Sequence, residues 1–268
     1  VNGNVADYSL TVDTLPPTNV TIATVAGDDQ INIAEKSAGV TVSGTTEPGT
    51  TISLNGTSVS VGVDGRWSTT LDTTNFTSRD ASAGRNGVNT ITVVATDAAG
   101  NTTTQTRNVV LDTQAPVAGQ LTAGGTLVDT GRTTDAIPVT KDNTFDLQVT
   151  GNEANSKVVA FELTKDGGTA ITAQVPAEGS SIVSGTNNQV SIDSAGVVHM
   201  TNVPDGAYNA KAQVVDQAGN ATWTNATSLV VDSLAPTANI EVSKSIIKIG
   251  ETAVVKITFD EAVDNFNL

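Results

Sequence analysis

Thr90-Ile91-Thr92-Val93-Val94-Ala95-Thr96, then Asp97-Ala98-Ala99-Gly100-Asn101, then Thr102 to Leu111, is the stretch that decides the fold. Apolar and polar residues alternate with a period of two on both sides of a Gly-Asn pair. That is the pattern of two half-buried strands joined by a tight turn. The second strand runs directly into Asp112-Thr113-Gln114-Ala115-Pro116. Proline fixes its own φ and pushes the residue before it into an extended conformation, so the strand ends in a stiff connector. A last strand followed by a connector marks the end of a domain.

The same grammar recurs. Ala210 to Val215, Asp216-Gln217-Ala218-Gly219-Asn220 and Thr222 to Val231 repeat the hairpin. Gly3-Asn4 looks like the tail of a third copy. The connector returns as Val12-Asp13-Thr14-Leu15-Pro16-Pro17-Thr18 and as Val231-Asp232-Ser233-Leu234-Ala235-Pro236-Thr237. From Asp13 to Asp112 is 99 residues and from Asp112 to Asp232 is 120, a period of tandem domains and not of a solenoid. Residues 1–15 are therefore expected to close a preceding domain. Two complete units follow at 16–114 and 115–234, and 235–268 opens another, with strands at Ala238 to Val242 and Ala253 to Phe259. No helical period persists, although Asn75 to Ala83 has room for a turn or two. The expected class is all-β, as tandem immunoglobulin-like antiparallel sandwiches.

Composition narrows the function. The 268 residues carry a net charge of -15, which excludes nucleic acid and anionic membrane as partners and favours cations. No apolar run approaches the roughly 20 residues of a membrane-spanning helix. There is no cysteine, so neither a disulfide framework nor a thiolate metal site exists. With small polar residues and strong acidity, that suits bacterial export. Val1-Asn2-Gly3-Asn4 has no charged start or apolar middle, so no signal peptide is expected and the chain reads as an interior piece of something longer.

Strand order predicts which acids meet. In a seven-strand sandwich the B–C and F–G loops lie at the pole where the chain enters. Asp13, Glu47 and Asp97 should then converge, as should Asp112, Glu153 and Asp216. Asp232 and Glu261, with Asp260 beside it, begin a third set. Grouped carboxylates repel unless a cation neutralises them, and hard oxygen ligands in irregular loops suit Ca²⁺. The expected affinity is on the order of 10⁻⁴ to 10⁻³ M, that of extracellular modules. The competing reading makes each acid a solvated turn or cap residue. Asp28, Asp29 and Glu35, and Asp129, Asp135 and Asp142, stand equally open to calcium and to turn-and-cap roles.

Val25-Ala26-Gly27-Asp28-Asp29-Gln30-Ile31-Asn32-Ile33-Ala34-Glu35 with Val40-Thr41-Val42-Ser43-Gly44-Thr45, then Asp64-Gly65-Arg66-Trp67-Ser68, and the two Asp-x-Ala-Gly-Asn hairpins resemble the bacterial Ig-like repeats of giant adhesins exported by type I secretion. Asp129 to Asn143 and Thr237 to Asn265 are similar to further variants. The resemblance implies a secreted or cell-surface fibre of repeats; the acid sets add calcium that rigidifies neighbouring repeats into a rod, and the polar sandwich edges favour a monomer. Such a rod extends a distal tip that attaches to host cells or abiotic surfaces, or forms biofilm.

No catalytic constellation emerges. His199 has no serine or acid pattern suggesting a triad and is expected to be structural; Trp67 and Trp223 are expected in the core or on a sheet face. Asn19-Val20-Thr21 and Asn55-Gly56-Thr57 are chance glycosylation matches in an Asn- and Thr-rich chain. Gly124-Gly125 precedes no helix or lysine and is no phosphate loop. The rival readings are a glycan- or host-protein-binding module, using extra loops near Gly167-Gly168 and Ala177 to Asn188, and accessory domains of a secreted hydrolase.

Overall fold

The computed structural model describes residues 10–80, 87–124, 139–168, 170–174, 190–263 and 266. Two units emerge: Val1–Pro116 with Asp216–Ala221, and Val117–Val215 with Thr222–Leu268. Asp129, Asp135, Gly125 and the loop from Ala177 to Asn188 lie outside the described residues, as does the Gly3-Asn4 tail.

The first unit is built from β1 (Gln30–Ile31), α1 (Ile33–Ala38), β2 (Thr41–Thr45), β3 (Thr51–Leu54), β4 (Thr57–Val59), β5 (Arg66–Thr70), β6 (Val88–Thr96) and β7 (Thr102–Leu111). One sheet has the order β1-β7-β6-β3-β4, and β2 pairs with β5 in the other. Residues 19–23 run beside β2, where Thr21 N–H donates to Thr45 O and Ala23 N–H to Ser43 O. The short β1 joins β7 in parallel while the remaining pairs are antiparallel, an immunoglobulin-like arrangement. Alternation does the sorting. Ile91, Val93 and Ala95 of β6 and Ile52 and Leu54 of β3 face inward, meeting Val42 and Trp67 from the opposite sheet. Gly44 stands opposite Trp67, and a Cβ there would come 2.6 Å from the indole and 2.0 Å from Thr21 O. Only glycine lets the two strands close over that ring.

The second unit contains β8 (Gln120–Ala123), β9 (Val139–Thr140), β10 (Phe145–Thr150), β11 (Lys157–Lys165), β12 (Ala170–Gln174), β13 (Val190–Ile192), β14 (Val198–Met200), β15 (Gly206–Val215), β16 (Ala221–Trp223) and β17 (Thr227–Val231). Its sheets run β13-β14-β10-β8 and β12-β11-β15-β17-β9. Phe145, Leu147, Phe161, Leu163, Val214 and Leu229 fill the space between them. Tyr208, near the start of β15, donates its hydroxyl to Pro204 O, the tyrosine corner of immunoglobulin-like folds. A two-stranded sheet of β18 (Ala238–Val242) and β19 (Val255–Phe259) completes the chain.

Four expectations are corrected. A six-residue helix, α1, forms where none was expected, because Asn32 and Glu35 make a reciprocal capping box. Asn75 to Asp80 holds a turn and no helix, and Ala81 to Ala83 lie outside the described residues. The strand expected from Thr222 to Val231 breaks after Trp223: Thr224 N–H donates to Ala212 O, and Ala212 N–H donates back to the Thr224 hydroxyl. That side-chain bond replaces a ladder bond, and the chain re-enters the sheet at Thr227. Leu10 to Leu15 belong to no strand.

Candidate functional site

The turn from Asp97 to Asn101 is held by one carboxylate. Asp97 Oδ1 accepts from the backbone N–H of Ala99 and Asn101, and Oδ2 accepts from Asn101 Nδ2 at 2.9 Å. Gly100 takes φ +94, a left-handed conformation that costs glycine nothing. The Asn101 side chain holds the Asp97 carboxyl below the usual carboxylate range, with the turn N–H groups assisting against burial. The second hydrogen of Asn101 Nδ2 reaches Asp13 O at 3.1 Å. Asp13 in turn accepts Leu15 N–H on Oδ1, and Thr103 donates to Pro17 O.

The Asp216 turn repeats this bond for bond. Asp216 Oδ1 accepts from Ala218 and Asn220 N–H, Oδ2 accepts from Asn220 Nδ2, and Asn220 Nδ2 donates to Asp112 O at 3.0 Å. Gln114 N–H donates to Asp112 Oδ1, as Leu15 N–H does to Asp13. Here the arrangement is dry: Asp112, Asp216 and Asn220 are 2, 8 and 4% exposed. Asp112 Oδ2 is taken by Arg79 Nη1 at 3.0 Å. The turn, grouped with the first unit, also accepts Asn32 Nδ2 on Ala218 O and Ile33 N–H on Asn220 Oδ1.

Glu47, Glu153, Asp260 and Glu261 differ among themselves. Glu47 Oε2 accepts both the N–H and the hydroxyl of Thr18. Asp260 does the same for Thr237, through Oδ1 and Oδ2 at 2.8 and 2.6 Å. Thr18 and Thr237 each lie five residues after a connector aspartate, so the counterpart of Glu47 is Asp260 and not Glu261. The fifth residue after Asp112 is Val117, which has no hydroxyl, and its carbonyl accepts the Glu153 N–H instead. Burial raises the Glu261 carboxyl above its ordinary value, and the negative charges of Asp232 and Asp260 raise it further. Among the described residues no group of three or more His, Cys, Asp or Glu side chains has metal-binding geometry.

The second-rank acids of the first unit do turn and cap work. Asp28 accepts Gln30 N–H, Glu35 accepts Asn32 N–H, and Asp29 forms a two-pronged ion pair with Arg107. Asp142 accepts Thr144 N–H.

Charge-led reading of the sequence missed Asn101 and Asn220, whose signal was their fixed place four residues after each turn aspartate. It also missed the company His199 keeps. Nδ1 lies 2.6 Å from Asp146 and Nε2 3.3 Å from Asp193. Asp146 is 53 residues away and meets His199 only through the β10–β14 register. Both ring nitrogens face carboxylates, so this histidine is not placed to take a serine proton. Trp67 is buried in the core and Trp223 lies on a sheet face under Lys211 Nζ. A cavity of about 200 Å³ in the first unit has Asp72 as its one charged lining residue, and Asp72 is engaged by Thr74.

Residues 232–268 match the family model of a bacterial Ig-like domain. No curated protein matches the chain in sequence. Among solved structures the chain is similar to a 1.5-MDa bacterial ice-binding adhesin (21% identity, 80% of this chain, 64% of that one, TM-score 0.44). It is also similar to a Ca²⁺-stabilised, ice-binding adhesin of an Antarctic bacterium (23%, 84%, 52%, 0.43). A third is a tetra-tandem repeat from the extending region of a large adhesion protein (18%, 90%, 62%, 0.32). The chain thus spans from 52 to 64% of the length of these structures.

Proposed function

We propose that this chain is a structural spacer from a large bacterial surface adhesin, a run of Ig-like sandwiches that holds an adhesive region away from the cell and catalyses nothing. The observation that carries this reading is repetition: the same turn, built by the same bonds, grips the same connector atom at Asp13 and at Asp112. An enzyme places its site once, whereas a spacer repeats its joint. The match of residues 232–268 to a bacterial Ig-like domain supports the reading. No helix among the described residues is long and apolar enough to cross a membrane.

Calcium belongs to the proposal at the Asp232 set. Asp97, Asp112 and Asp216 already receive protein donors on both carboxylate oxygens. Glu261, by contrast, feels Asp232 and Asp260 as neighbouring negative charges. A hard dication with oxygen ligands answers that charge through Asp232 and Glu261, since Asp260 already receives both donors of Thr237. The partners are the neighbouring repeats of the same chain, and the setting is the bacterial surface.

Small-angle scattering and thermal melting of the 268-residue chain, with calcium and with excess chelator, test this. A longer particle and a higher melting temperature in calcium, both lost in Asp232→Asn/Glu261→Gln, are the expected results. Identical curves in the two conditions would remove calcium from the account. A particle no longer than two sandwiches folded back on each other would remove the spacer.

A further inference from the structure

A third turn of the same sequence form supplies a comparison inside the chain. Asp193-Ser194-Ala195-Gly196-Val197 joins β13 to β14. Asp193 Oδ1 accepts Ala195 and Val197 N–H at 2.9 and 2.8 Å, Asp193 N–H donates to Val197 O, and Gly196 takes φ +80. The backbone bonds and the glycine are those of the Asp97 and Asp216 turns. At the fifth position, however, stands valine. The turn therefore forms without asparagine.

What asparagine adds is one amide nitrogen with two hydrogens. In the Asp97 and Asp216 turns, one hydrogen goes back to the turn aspartate and the other to the carbonyl of the earlier connector aspartate, Asp13 and Asp112 respectively. A carboxylate at this position has no hydrogen to give, and valine has none either. We infer that Asn101 and Asn220 are latches: neutral donors that hold each connector to its turn and keep hold of it when calcium is absent. The inference deepens the spacer reading and rests on it for its purpose, but the latch itself stands on geometry seen twice and on its absence from the Asp193 turn. It also explains why Asp97 and Asp216 recur without needing a metal. Each orients its asparagine through Oδ2 and pins the backbone through Oδ1.

The test uses Asn101→Val and Asn220→Val in the full chain, because Val197 shows that valine is compatible with this turn. Limited proteolysis at residues 13–15 and 113–115 reports connector release, and amide exchange at Val93 and Ala212 reports whether the hairpins stay folded. Asn101→Val should raise cleavage at its connector about fivefold, the size of one neutral hydrogen bond, and Asn220→Val should raise it at least as much, because Asn220 Oδ1 also accepts Ile33 N–H. Hairpin protection should be unchanged, the increase should be equal in calcium and in chelator, and Val197→Asn should alter nothing. Unchanged cleavage in both variants would overturn the latch. So would loss of hairpin protection, which would make the asparagine part of the turn, and so would release of the wild-type connectors by chelator alone. The spacer reading falls separately, on the scattering dimensions of the wild-type chain.

Discussion

The two sandwiches share a strand order and fasten it with different chemistry. In the first unit, Arg107 grips Asp29 with Nε and Nη2 while Nη1 reaches Ile22 O and Nη2 also reaches Thr24, tying the incoming strand to β7. In the second unit the corresponding work is neutral. Thr227 donates its hydroxyl to Leu121 O, joining the last strand to the first, and Tyr208 closes the corner at Pro204. Charge-assisted bonds are stronger singly but weaken as salt screens them, and neutral bonds buried at a corner are not screened. One topology therefore tolerates two fastening schemes, and the schemes predict different responses to salt.

The largest effects should come from the cores, where chemistry is alike. Trp67→Ala and Phe161→Ala each empty a large buried site and should cost about 3–5 kcal/mol. Followed by amide exchange, Trp67→Ala should expose Ile91 and Val93 while Leu163 stays protected, and Phe161→Ala the reverse. Equal loss in both units would mean that they unfold together. Gly44→Ala should cost about 1–3 kcal/mol in the first unit alone, since its Cβ meets backbone as well as the indole.

Arg107→Met should lower the melting temperature of the first unit at low ionic strength and by visibly less in 1 M salt. Tyr208→Phe removes one neutral bond and should cost the second unit about 1 kcal/mol at either salt concentration. If both losses shrink together in salt, the contrast between charged and neutral fastening is gone.

Legibility in the sequence followed the length scale of each signal. The β6–β7 hairpin was readable outward from its Gly-Asn turn: β7 has the expected bounds, and β6 begins at Val88, ahead of the expected Thr90. The capping box of α1 was present in Asn32 and Glu35, but six residues are too few to show a helical period. Thr224 breaks its strand by a side-chain bond to a residue twelve positions earlier, which periodicity does not register. At the candidate site the acids were found by their charge, and Glu47 does lie at the connector. Its partner, though, is the hydroxyl and N–H of Thr18. The asparagines were passed over because an amide carries no charge, and Asn101 meets Asp13 across 88 residues. Topology made it legible that the Asp97 turn meets the Asp13 connector; the contact runs through the Asn101 amide, and the expected grouping of three carboxylates is not among the described residues.

His199 gives the smallest expected effect, and its sign separates the two units again. Its hydrogen bond to Asp146 raises the imidazole above its ordinary value of 6.5, against the opposing effect of burial, with Asp193 adding to the rise. A raised folded-state value means that the charged form is favoured in the fold. The stabilisation is then fully present below about 6.5, the unfolded value, and is lost as pH climbs through the higher folded one. With the imidazole 40% exposed, solvent screening limits the gain to about 0.5 kcal/mol. Melting of the second unit should therefore fall slightly as pH rises from 6 to 8, and His199→Gln should flatten that slope. The first unit contains no histidine, so any matching slope at Ile91 and Val93 would assign the pH response to something other than this pair.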